Sequence, residues 1–166
     1  MKTYNWTGFT KRVPINAPAK TIYDAWTTQH GLEKWFLRLA QFTSNHGTLR
    51  GRYDQIAPGD RYRWLWHGYS DDVVESQEIL SVNGWDGLSF RFSGGCIVTV
   101  TLMPEKGQTI CELKQHMPMD DVELQRYYFI ECGLGWSFYL VNLKSVLEGG
   151  LDLRNRNADL REVVTA

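Results

Sequence analysis

An α+β domain is the fold class this sequence predicts, with a curved antiparallel sheet wrapped around a long C-terminal helix and two short helices after the first strand. Residues 120–148 contain no proline and are apolar around most of a helical circumference. At 1.5 Å per residue such a helix would be roughly 40 Å long, and one so apolar has to be gripped by other elements. Between residues 61 and 117, apolar and charged residues alternate in short runs, the pattern of antiparallel strands with one wet face. The order strand, short helices, meander, long helix completes the α+β assignment.

The elements follow in chain order. Residues 9–15 read as a strand with Phe9, Lys11, Val13 and Ile15 on one face. Pro18 then opens a short helix, in a first turn that tolerates it, and Ile22, Tyr23, Ala25 and Trp26 form its apolar side. Residues 31–36 form a second short helix. Residues 41–60, Gly-rich and polar in parts, read as loop with one weak strand. In residues 61–67, Tyr62, Trp64 and Trp66 point one way, and Arg61, Arg63, Leu65 and His67 the other. Residues 73–82 are expected as one strand. The turn Asn83-Gly84-Trp85-Asp86-Gly87 leads to Leu88, Phe90 and Phe92 on a single face. Val98, Val100 and Leu102 continue the alternation. Beyond a hairpin loop at residues 105–108, Cys111, Leu113 and Gln115 oppose Glu112, Lys114 and His116. The long helix carries a polar stripe of Arg126, Ser137, Lys144 and Glu148. Opposite lie Tyr128, Cys132, Gly135, Tyr139, Leu143 and Val146. Gly149 and Gly150 end it.

Length and charge narrow the function classes. The 166 residues fit one domain, expected over 1–154, with a charged tail over 155–166. A chain of this size buries roughly 70% of its unfolded surface and needs neither disulfide nor metal. Eighteen Lys and Arg against nineteen Asp and Glu leave a net charge of -1, which argues against nucleic acid or an anionic membrane held by bulk electrostatics. Cys96, Cys111 and Cys132 make no CxxC pair and no disulfide framework, so reduced thiols in a cytoplasmic protein are expected. The first ten residues hold no apolar signal core, and no run approaches the roughly 20 apolar residues of a membrane span. The four His share no metal-ligand spacing, no nucleotide or nucleophile-elbow motif is present, and no cofactor is implied.

Aromatic residues make up 13% of the chain, with seven Trp, which suits an apolar core and also a pocket for flat ligands. Tyr62, Trp64, Trp66 and Phe90 are candidates for the concave face of a cavity between sheet and helix, with Trp26 and Trp35 closing one end. From the helix, Tyr128, Gly135 and Tyr139 would face that space. Glu131 and Asn142, eleven residues apart, lie on one helical line beside them and would orient a ligand. A buried Glu131 with a raised pKa would also serve as an acid or base. Glycine in a helix interior costs about 1 kcal/mol against alanine, so Gly135 signals either close packing against a strand or ring, the favoured reading, or room for a ligand.

Five segments stand out together: Thr21-Ile22-Tyr23-Asp24-Ala25-Trp26-Thr27, Gly31-Leu32-Glu33-Lys34-Trp35-Phe36, Tyr62-Arg63-Trp64, Gly135-Trp136 and Leu143-Lys144-Ser145-Val146-Leu147-Glu148. On these the sequence resembles the START-like (SRPBCC, helix-grip) superfamily, and within it the Aha-type family, named for the C-terminal domain of the co-chaperone that activates the heat-shock protein 90 ATPase. The resemblance runs from Phe9 to Arg154. It implies a sheet around the C-terminal helix with a cavity between them. Many members carry a His near the end of the last strand in a Leu-x-His pattern; here Leu113-Lys114-Gln115 places Gln115 there, as a further ligand-orienting candidate.

The leading expectation is a non-enzymatic binder of a small apolar or aromatic molecule, as monomer or homodimer. A co-chaperone-like interaction module with a chaperone partner is the second expectation. A cyclase or hydrolase using Glu131 is the third.

Overall fold

The computed structural model of the chain describes residues 4–165, so the expected domain and tail begin and end on residues outside those described. Strand β1 (Gly8–Ile15) is followed by α1 (Ala19–Thr27) and α2 (Gln29–Trp35), then β2 (Leu39–Thr43) and β3 (Arg61–Leu65). The remainder is β4 (Val74–Glu75), β5 (Ile79–Val82), β6 (Gly87–Phe92), β7 (Cys96–Glu105), β8 (Gln108–His116) and α3 (Val122–Leu147). Two antiparallel sheets result, one of five strands in the order β1-β8-β7-β6-β5 and one of three in the order β2-β3-β4.

Period-two alternation sets the register of the larger sheet. Val13 lies opposite Cys111, Val100 opposite Leu113, and Phe90 opposite Val98. All six side chains are buried, while the intervening Arg12 and Thr99 are exposed. The smaller sheet follows the same rule, with Phe42 opposite Tyr62 and Ala40 opposite Trp64.

Residues 73–82, expected as one strand, form two. The polar run Ser76-Gln77-Glu78 has no apolar face to hold it in either sheet. The carbonyl of Gln77 accepts from Tyr62 N in the smaller sheet, and that of Glu78 accepts from Arg91 N in the larger. The chain therefore crosses between sheets there.

Thr28 separates the short helices: its hydroxyl caps α2 by accepting from Gly31 N at 2.9 Å. A Cβ on Gly31 would fall 2.2 Å from the carbonyl oxygen of Asp24, so only glycine lets α2 approach α1 this closely. Asp121 caps α3 by accepting from the amides of Glu123 and Leu124.

Helix α3 lies along β1. Its Gly133 faces Phe9 and Lys11. At its far end Lys144 donates to Pro14 O at 2.8 Å, and Glu148 accepts from Asn16 N at 2.8 Å. Between helix and sheet the interior is aromatic. Trp26 packs edge-on against Trp35 at 4.6 Å, Phe36 lies 5.0 Å from Trp136, and Tyr62 stacks on Trp64 at 3.8 Å between ring centroids.

The sheet grips only one flank of α3. Tyr127, Ile130, Leu134 and Val141 are exposed on the other. A helix apolar on nearly every side was expected to be covered more fully. One curved sheet subtends too little of the circumference to do so.

The chain past α3 folds back as an ordered strap. Asn142, fully buried, donates to Trp35 O at 2.7 Å and to Asp152, and accepts from Leu153 N at 2.7 Å. The Arg154 guanidinium reaches Leu37 O and Glu33 O, each at 2.9 Å, and pairs with Asp152.

Candidate functional site

A cleft of about 410 Å³ opens between the Tyr127–Tyr139 stretch of α3 and the ends of β3 and β6. Helix α3 supplies Tyr127, Tyr128, Glu131, Cys132, Gly135, Trp136 and Tyr139. These positions recur at three- and four-residue intervals, so they share one helical face. Opposite stand Trp66, Tyr69 and Val73 from the segment after β3, Phe92 and Ser93 from the end of β6, and Phe36 just after α2.

Backbone geometry fixes several of these groups. Tyr128 rests against Gly94, which has φ 68° in the tight turn Ser93–Gly95; a Cβ there would fall 2.2 Å from the Tyr128 ring. Trp136 is held by a hydrogen bond from its indole Nε1 to Gln115 Oε1 at 2.8 Å. It also packs on Phe92, with ring centroids 5.2 Å apart. Gly135 has nothing within 4 Å of where its Cβ would stand. Of the two explanations for this glycine, the structure therefore shows room rather than close packing. The sheet-facing glycine is Gly133, which at 3.6 residues per turn lies on the other side of the helix.

The site is apolar with a negative edge. Glu131 stands exposed at the mouth. Behind Ser93, the half-buried Glu75 carboxylate accepts from the Ser93 hydroxyl at 3.2 Å. Burial raises the Glu75 carboxyl above its ordinary value, with the hydrogen bonds from Ser93 and Gln77 opposing. Burial likewise raises the Tyr128 and Tyr139 phenols. The Cys132 thiol is raised by burial and further by the charges of Glu75 and Glu131. The raised Cys132 thiol is therefore not a pre-ionised nucleophile at neutral pH. Among the described residues, no cluster of three His, Cys, Asp or Glu is placed to hold a metal, and no helix is long and apolar enough to cross a membrane.

The structure brings together five of the residues singled out from sequence: Trp66, Tyr128, Glu131, Gly135 and Tyr139 line the cleft. Trp26, Trp35, Tyr62, Trp64 and Phe90 are buried in the closed aromatic interior behind it. Gln115 lies deeper, as the acceptor for Trp136. Asn142 is parted from Glu131 and holds the strap instead of facing the cleft. Cys132 and Trp136 were legible on the arc of Tyr128 and Tyr139. Tyr69 and Val73 come from an irregular segment that carries no periodic signal.

A family model described as Activator of Hsp90 ATPase homolog 1-like protein matches residues 16–148. Among curated proteins no match is found. Solved structures share the fold at low identity. Protein SSP2350 from Staphylococcus saprophyticus is 16% identical with a TM-score of 0.66, over 89% of this chain and 96% of that one. The Aha1 dimer from Colwellia psychrerythraea is 19% identical with a TM-score of 0.64, over 86% of this chain and 97% of that one. CalU16 from Micromonospora echinospora is 19% identical with a TM-score of 0.61, over 87% of this chain and 76% of that one.

Proposed function

The chain belongs to the Activator of Hsp90 ATPase homolog 1-like family, and from that premise we propose that it binds a small apolar or aromatic molecule, without chemistry, in the cleft beside α3. Domains of this kind are generally ligand-binding or co-chaperone-like. The observation that carries the reading is the open space at Gly135 within a wall of aromatic rings. A helix interior accepts the cost of glycine where a side chain would occupy needed volume. At about 410 Å³ the cleft is within the range of small-molecule sites.

Native mass spectrometry of freshly purified protein, followed by extraction of whatever stays bound, tests this directly. A discrete small molecule that is retained by the wild type and lost from Gly135→Leu supports the reading. Bare polypeptide masses for both, with no small molecule in either extract, count against it.

The exposed stripe Tyr127, Ile130, Leu134 and Val141 favours a second reading, a co-chaperone-like surface for a chaperone. Its test is the ATPase rate of heat-shock protein 90 with and without the domain. An unchanged rate, together with no co-precipitation, would sink it.

A further inference from the structure

We infer that the ligand of this cleft is an organic cation, a flat or aromatic molecule bearing an amine or quaternary ammonium group. The inference rests on the binding reading above and adds the charge of the ligand. It starts from an imbalance in the lining. The walls present the rings of Trp66, Tyr69, Tyr128 and Tyr139, and the single ionisable carboxylate among the lining residues is Glu131. Among the described residues, no Lys, Arg or His lines the cleft.

The surroundings sharpen that imbalance. The carboxylate of Glu75 stands one hydrogen bond behind Ser93, half-buried, with no Lys, Arg or His paired to it among the described residues. Several other half-buried or buried carboxylates have cationic partners: Glu33 has Arg52, Asp60 has Arg50, Glu78 has Arg91 and Asp152 has Arg154; Asp86, outside the cleft lining, pairs with Asn83 instead. Around His67 and Tyr139 the cations have carboxylate partners of their own: Arg38 is paired with Asp71, and Arg154 and Arg156 share Asp152. His67, which adjoins Trp66 in sequence, is held towards its neutral form, chiefly by burial.

Aromatic faces attract cations through the ring quadrupole, and Trp and Tyr are the strongest such faces. Partial burial weakens solvent screening of the Glu75 carboxylate and strengthens its pull on a bound cation, while Glu131 meets the cation at the mouth. An anion would meet two uncompensated carboxylates and no donor side chain of opposite charge. A neutral ligand would gain from ring contact alone. The combination of aromatic walls and unpaired negative charge selects an ammonium.

Three naphthalene probes that differ in charge test the inference by isothermal titration calorimetry: 2-naphthylmethyl-trimethylammonium, 2-naphthylmethanol and 2-naphthoate. The cation should bind about tenfold tighter than the alcohol, from the carboxylate charge and the ring faces together, and the carboxylate probe weakest. Glu131→Gln should erase most of that advantage while leaving the affinity for the alcohol in place. Gly135→Leu should abolish binding of all three. Equal or tighter binding of the alcohol or the carboxylate overturns the cation inference and leaves the binding reading standing. No binding by any probe, or binding that Gly135→Leu does not change, overturns both.

Discussion

The indole of Trp136 donates to the side-chain oxygen of Gln115 at 2.8 Å, with both residues buried. This bond ties the wall of the cleft on α3 to the interior face of β8, the strand next to edge strand β1, so the last strand sets the pose of a cleft residue. Gln115→Leu leaves the indole N–H without an acceptor in the interior, which costs about 1–3 kcal/mol. Urea denaturation reads that loss directly. Adding Trp136→Phe removes the stranded donor, so the double variant should lose less than the sum of the two single changes.

The strap after α3 depends on Asp152, and its contribution depends on pH. Burial alone would raise this carboxyl, but hydrogen bonds from Arg154, Arg156 and Asn142 outweigh burial and hold it well below the usual carboxylate range. A depressed folded-state pKa means that the stabilisation is complete above the unfolded value, about 3.9. It is lost as pH falls from there towards the folded value. Asp152→Asn leaves the buried Arg154 guanidinium without its counter-charge and should cost about 3 kcal/mol at neutral pH. The gap between variant and wild type should close as pH drops below about 4. Thermal unfolding across that range checks both statements.

Much of the framework is legible because periodicity reports it. Val98, Val100 and Leu102, or Cys111 and Leu113, alternate with polar residues, and each set faces the core. Other features depend on partners that periodicity does not name. The spacing of Glu131 and Asn142 places both on one helical line. Asn142, however, is claimed by Trp35, Asp152 and Leu153, which are remote in sequence or lie in the irregular strap. The break in residues 73–82 arises from backbone bonds to two different sheets. The cleft is partly legible, since its α3 face follows helical spacing, whereas Tyr69 and Val73 reach it only through the tertiary path of the chain after β3.

Cys132 should be slow to alkylate. Burial raises its thiol, with Glu75 and Glu131 adding to the rise and a Gln115 hydrogen bond opposing it. Burial also pushes Cys96 and Cys111 up to about 12. The thiolate is the reactive form, so labelling by iodoacetamide at pH 7 should run well below the rate of a free thiol, which titrates near about 8.5, and climb only in alkaline buffer. Mass spectrometry of labelled peptides against time and pH measures it, and a fast reaction of Cys132 at pH 7 would contradict the assigned environment.

Two helical glycines should respond to alanine with opposite signs. At Gly31 the new Cβ would meet Asp24 O at 2.2 Å and Ala25 Cα at 2.7 Å, both backbone atoms that cannot swing away. Helix α2 must then retreat from α1, an overpacking cost of about 1–3 kcal/mol. At Gly135 the same methyl enters open space, and the gain in helix propensity should stabilise the fold by about 1 kcal/mol. If the cleft binds a ligand, that gain has a functional cost, because the methyl takes volume from the site. Gly135→Ala should therefore raise the melting temperature and weaken ligand retention together, the trade expected where a binding site is kept at the expense of stability. A Gly135→Ala variant that melts higher and retains ligand unchanged would remove the functional account of this glycine, while the stability difference from Gly31→Ala would still stand on packing alone.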